Sequence, residues 1–263
     1  MRLASQVHKG LVAGLGSLLI LGALCPIEAV AQVKVIISGG FARAYRSALP
    51  EFEHTTGIEV TTGSGVSQGS GPDTIEAQLR RGVPADVVIM SREGLDDLIS
   101  AGLIVAGTDV DLAQTPLGLA VRAGAPRPEI ATVDAFKETL HNARSIAVPG
   151  STTGIYLTTR LFPRLGVDSK SVNVTARGAE AISLVASGNA TLAVQPVSEL
   201  LHMPGIDFVG PIPMEVQYVS VFSAAVVIGS KEVEASKRLI SFLASDKTTS
   251  AIEQAGMESL KPH

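Results

Sequence analysis

Val33-Lys34-Val35-Ile36-Ile37-Ser38-Gly39-Gly40-Phe41 runs from β-branched residues into two glycines, and apolar residues at helical spacing continue to His54. Gly57 then stops that helix, and Ile58-Glu59-Val60-Thr61 returns to strand composition. Strand, tight turn, helix and strand in this order make a βαβ unit, which requires a parallel sheet with helices against its faces.

The same alternation continues outward. A polar stretch from Thr62 to Gly71 leads to a helix from Pro72 to Arg81, a buried strand over Ala85–Met90 and a helix over Gly94–Ala101. Residues 116–122 form another strand, ending in the proline-rich Gly124–Pro128. A second series follows: helix 132–142, strand 145–148, helix 152–165, strand 172–174, helix 178–187 and strand 191–195. Prolines and glycines punctuate residues 204–213, before a long strand over Tyr218–Ile228 and a closing helix over Val233–Ala244. The fold class is therefore α/β with two lobes. Lobe I takes residues 32–115 and 214–263, and lobe II takes 116–213. Hinge crossings fall near 114–122 and 213–220, and the ligand cleft lies between the lobes.

Residues 1–31 have the composition of an export signal. Arg2, His8 and Lys9 precede an uncharged run from Leu11 to Leu24, and Ala29-Val30-Ala31 supplies the small residues of a cleavage site after Ala31. The apolar run is shorter than the ~20 residues of a membrane span. Cys25, the one cysteine, falls inside this leader, so the exported chain has no disulfide, as suits a periplasmic protein that needs none. The chain has 263 residues, 46% hydrophobic and 17% charged, with a formal net charge of −4. That balance supplies a packed core and excludes a nucleic-acid surface.

In open α/β sheets ligands lie beyond the carboxyl ends of strands, where helix N-termini present free N–H groups. Four loops stand there. Ser38-Gly39-Gly40-Phe41 is either an ordinary turn or a close backbone approach to a ligand. Gly63–Pro72 holds Ser64, Ser67 and Ser70, with Ser70 or Gly71 as a helix cap and Asp73 in the first turn. Ser91-Arg92 follows the third strand, where Arg92 either forks onto an anion or pairs with Glu93 or Asp96. Ser151-Thr152-Thr153 offers hydroxyls at a helix start, without the lysine of a phosphate-binding P-loop. No HExxH, CxxC, GxSxG or EF-hand spacing occurs, and His54, His141, His202 and His263 are not at ligand spacing. No metal and no cofactor is expected.

Gln78-Leu79-Arg80-Arg81-Gly82-Val83-Pro84-Ala85-Asp86 resembles the Q-x-x-x-G-x-P-A-D signature of the molybdate-binding branch of the type-II periplasmic solute-binding proteins. Gly154-Ile155-Tyr156, Gly188 before Leu192 and the final helix near Gly256 match in register. The resemblance implies the two-lobed fold and an anion in the cleft. Three hydroxyls of that family are replaced: its first-loop serine falls near Gly40, its second near Gly71 or Pro72, and its tyrosine near Pro196. Each lost donor leaves a tetrahedral oxyanion short by about 1–3 kcal/mol. A larger organic anion, a di- or tricarboxylate, therefore suits the chain better than molybdate.

Two functions follow. The first is a monomeric receptor that closes on a small anion and hands it to the permease of an ABC importer, with Ser38, Gly40, Phe41, Ser64, Ser70, Ser91, Arg92, Ser151, Thr152, Thr153 and Gln195 as contacts. The second comes from the resemblance, since a divergent branch of the family includes aconitate isomerase. It is a cofactor-free allylic proton shift between cis- and trans-aconitate, with Glu199 or Asp73 as the base.

Overall fold

The structure, a computed structural model, describes residues 31–260. The export segment lies outside the described residues apart from Ala31. The first βαβ unit forms as its sequence dictates. β1 (Gln32–Ile37) ends in a 3-10 turn at Gly39–Phe41, α1 (Ala42–Thr56) follows, and β2 (Glu59–Ser64) pairs parallel with β1. Gly57 closes α1 in the left-handed conformation at φ 69°, which glycine adopts without a Cβ penalty.

α2 (Ile75–Arg80) starts later than its composition suggests, and the cap is Thr74, whose hydroxyl accepts from Ala77 N at 3.2 Å. Ser70 and Gly71 do not cap it. Val66 and Thr74 form a β-bridge, which folds the Gly/Ser loop back on itself and moves the helix start past Asp73. β3 (Val87–Ser91) is buried throughout and leads into α3 (Arg92–Ser100).

β4 (Val110–Arg122) is longer than the strand read at 116–122 and serves both lobes. Its first half pairs with β9 (Val219–Val226) and β10 (Glu258–Ser259), and its second half with β7 (Leu192–Pro196) and β8 (Ile206–Pro211). β8 lies in the stretch read as mere punctuation; Gly205 and Pro211 bracket it, but the sequence between them pairs along β4. Lobe II adds α4 (Val133–Asn142), β5 (Ile146–Pro149), α5 (Thr152–Tyr156), α6 (Phe162–Leu165), β6 (Val172–Thr175), α7 (Gly178–Ala186) and α8 (Val197–Leu200). One π turn, Leu157–Leu161, joins α5 to α6, so residues 152–165 are continuous helix. α9 (Val233–Leu243) and α10 (Thr249–Gln254) return to lobe I.

Strand order is β2-β1-β3-β9-β4-β7-β5-β6. Period-two alternation decides which core each residue enters. Val33, Val35 and Ile37 point toward α1 and α9, and Ile36 points with Val88 and Met90 toward α3. Leu117, Leu119 and Val121 belong to a separate core with Ile146, Val148 and Val194. The two halves thus bury their own apolar surface and meet along two crossings. At the second crossing Gln217 accepts from Leu117 N at 2.7 Å and donates to the carbonyls of Leu117 and Ile212, at 3.2 and 3.0 Å. Among the described residues no helix is long and apolar enough to cross a membrane.

Gly40, after β1, packs directly against Phe222 of β9. A Cβ there would stand 1.9 Å from the Phe222 ring. Gly40→Ala is expected to destabilise the protein by about 1–3 kcal/mol, the usual cost of overpacking, seen as a lower midpoint of urea unfolding. An unchanged midpoint would show that the ring moves freely.

Candidate functional site

Between the lobes lies a cavity of about 480 Å³. The carboxyl ends of β1, β2, β3, β5, β6 and β7 all open onto it, so the loops after them supply its walls. Lobe I contributes Ser38 and Gly39, the face of α1 with Tyr45, Arg46 and Leu49, the segment Thr62–Ser67, Ser91, and Ser220 and Phe222 of β9. Lobe II contributes Ser151–Thr153 at the start of α5, Arg177–Ala179 at the start of α7, Pro196 and Glu199.

The lobes touch across this space. Ser91 Oγ and Thr152 Oγ1 share a hydrogen bond of 2.7 Å, in which either can donate. Arg177 reaches from lobe II to lobe I, with Nη2 2.7 Å from Asp73 Oδ2 and Nη1 3.4 Å from Ser64 Oγ. Beside the cleft, Tyr218 donates to the Glu93 carboxylate and stacks on Tyr156 with ring centroids 4.6 Å apart. Burial, and then that carboxylate, raise the Tyr218 phenol far above its usual range. Tyr45, buried and bonded to Thr62 Oγ1 at 2.8 Å, is pushed up to about 12 by desolvation.

Glu199 is the carboxyl group inside the cleft. It is partly buried at the start of α8, and among the described residues it has neither a hydrogen bond nor an ion pair. Desolvation pushes it up to about 7. Glycines on both lobes make room for it. A Cβ on Gly39 would lie 3.4 Å from its Oε2, and one on Gly178 only 2.1 Å away. A carboxyl group poised near neutrality among hydroxyls, with Arg46 and Arg177 on the same walls, can exchange a proton with a bound anion.

Of the residues singled out in the sequence, Ser38, Ser64, Ser91, Ser151, Thr152, Thr153 and Glu199 line this one cavity. The others do not. Gly40 packs behind the wall against Phe222, and Phe41 is fully buried in the lobe I core. Ser70 is exposed on the loop. Arg92 turns away from the cleft, because Asp96, Asp109 and Asp111 hold its guanidinium at 2.5, 3.0 and 3.4 Å. Gln195 lies fully buried beneath the floor, donating to Gly178 O at 3.1 Å. Asp73 does not line the cavity, since its carboxylate is taken up by Arg177 at the mouth.

Ser67, named in the Gly/Ser loop, also lines the cavity, whereas Arg177, Arg46 and Ser220 were not singled out in the sequence. Arg177 carried a usable signal, because it follows a strand and opens a helix as Arg92 does. Ser220 carried none: it sits inside a long β-branched run, and only the lobe geometry turns it toward the cleft.

Residues 33–258 match the family model described as bacterial extracellular solute-binding protein. A curated relative, the aconitate isomerase of a Pseudomonas species, is 40% identical over 248 residues, covering 93% of this chain and 94% of that one. The periplasmic molybdate-binding protein of Azotobacter vinelandii has the same fold, with a TM-score of 0.66 and 20% identity over 88% of this chain and all of that one. The sulfate-binding protein SubI of Mycobacterium tuberculosis superposes with a TM-score of 0.69 at 19% identity, covering 88% of each chain. The chain belongs to the bacterial extracellular solute-binding proteins.

Proposed function

We propose that this protein is a cofactor-free isomerase of a small tricarboxylate, interconverting cis- and trans-aconitate in the interlobe cleft. The observation that carries this reading is Glu199. A site built only to hold an anion is weakened by a facing carboxylate, unless that group is protonated or is needed for proton transfer. Here it is unpaired, desolvated and close to neutrality. In the reaction Glu199 takes a proton from the substrate methylene. The C–H electron pair spreads over the three allylic carbons and the carboxylates at both ends, and it settles as the new C=C bond when a proton returns to the former vinyl carbon. The net change is a shifted double bond. Arg177, Arg46 and the hydroxyls of Ser64, Ser91, Ser151, Thr152 and Thr153 hold the carboxylates while this happens.

The 40% identity to an aconitate isomerase over nearly the whole chain supports the substrate. In this reading the leader is removed after Ala31, the protein works in the periplasm, and lobe I (32–115 and 214–263) closes on lobe II (116–213). A second reading, a receptor that delivers a carboxylate to an ABC permease, draws on the two-lobed fold and on the interlobe hydrogen bonds, which fit hinge closure.

The test is the ultraviolet absorbance of trans-aconitate mixed with the purified protein. A steady change proportional to protein concentration is expected. Saturable thermal stabilisation with no absorbance change would leave the receptor reading, and stabilisation by molybdate or sulfate alone would remove both.

A further inference from the structure

Ser38 and Ser220 stand apart from the other hydroxyls of the cleft. Both line the cavity, both are almost wholly buried at 4% and 2% exposure, and among the described residues neither Oγ has a hydrogen-bond partner. Ser91 and Ser64 are already engaged, by Thr152 and Arg177. Buried hydroxyls are ordinarily satisfied, so two orphans in one wall are a cost the fold carries for a reason.

Their placement follows from the sheet. Ser38 lies one residue past the end of β1, its N–H donating to Ile89 O of β3 at 2.8 Å. Ser220 lies near the start of β9, which runs antiparallel to β3 with Phe222 opposite Ser91. Both hydroxyls therefore sit at the edge of one sheet where its strands open onto the cleft. A Cβ on Gly39, next to Ser38, would stand 3.4 Å from Glu199 Oε2, so the carboxyl group lies on that side of the cavity. Ile37, Leu49 and Phe222 make the neighbouring wall apolar, which strengthens any hydrogen bond formed there.

Resting on the isomerase reading, we infer that Ser38 and Ser220 are the donors that stabilise the negative charge building on the substrate carboxylate as Glu199 removes the adjacent proton. The ground-state carboxylate shares its charge over two oxygens. When the C–H pair delocalises into it the oxygens become stronger acceptors, and donors left unpaired beforehand gain most at that moment. Saturated tricarboxylates, which lack the double bond that makes the proton allylic and so do not lose it, gain nothing from these hydroxyls beyond ordinary binding.

The experiment compares wild type, Ser38→Ala and Ser220→Ala in three measurements: kcat for trans-aconitate, affinity for propane-1,2,3-tricarboxylate by calorimetry, and thermal midpoint. Each substitution is expected to lower kcat about 100-fold and to change affinity for the saturated analogue less than threefold. Because the hydroxyls are unpaired in the free protein, the thermal midpoints are expected to be unchanged or higher. A merely structural role would lower the midpoint and leave kcat near wild type. If wild type turns over and both variants retain kcat within threefold, or lose affinity as much as rate, this assignment is wrong while the isomerase reading stands. If wild type shows no turnover, both fall together.

Discussion

Glu199→Gln is expected to abolish isomerisation, lowering kcat by about 10³-fold or more, since general acid–base groups contribute about 10²–10⁴-fold. Binding should survive, and affinity for propane-1,2,3-tricarboxylate should hold or improve because a carboxylate has been taken out of an anion site. The wild-type rate should rise with pH through about 7, where Glu199 loses its proton, and then level off; the glutamine variant should show no such step. Stability provides a second reading of the same group. Raised to about 7 from an ordinary 4.5, Glu199 binds more protons in the folded chain than in the unfolded one between those values. Its contribution therefore weakens as pH rises through that window. Above pH 7 the variant should be more stable than wild type by at most about 3 kcal/mol, and the difference should vanish below pH 4. Equal rates, or a midpoint difference independent of pH, would show that Glu199 neither reacts nor is desolvated.

Arg177→Ala is expected to raise KM for trans-aconitate about 10–100-fold while lowering kcat less than tenfold. A charge-assisted hydrogen bond to a carboxylate is worth about 1.5–3 kcal/mol, and the guanidinium is the arm that lobe II extends over the cleft mouth. Its pairing with Asp73 raises a rival role, a strap that only holds the lobes together. Asp73→Asn separates the two, because it breaks the ion pair and leaves the cation. KM within threefold of wild type in Asp73→Asn, against a large rise in Arg177→Ala, identifies the arginine as a ligand group. Equal losses in the two variants would make it a strap.

The fold was legible because hydrophobic periodicity is local. The β-branched run of Val33–Ile37 and the glycines at 39, 40 and 57 specify a βαβ unit without reference to anything distant. β8 escaped because its pairing with β4 is a tertiary fact, and the glycines and prolines at its ends read as turns. The cleft was half legible. Serines and threonines after strands point to it by position alone, and seven of them reach it. Arg92 failed for a physical reason: its fate depends on Asp109 and Asp111, which arrive with β4 and outcompete the cleft for the cation. Phe41 and Gln195 failed because loop position does not reveal which way a side chain faces. Glu199 was named, with Asp73, as a carboxylate near the predicted cleft able to act as a base. What singles it out chemically, its desolvation between Gly39 and Gly178, needs both lobes in place.

Proton NMR of trans-aconitate in D₂O, with wild-type protein and with Glu199→Gln, decides the matter most directly. With wild type, cis-aconitate signals should grow to a fixed ratio with the trans form, starting from either isomer. The variant should leave both spectra unchanged while still binding the tricarboxylate. Wild-type protein that binds the substrate tightly and leaves its spectrum unaltered would contradict catalysis at Glu199 and return the chain to the receptors of its family.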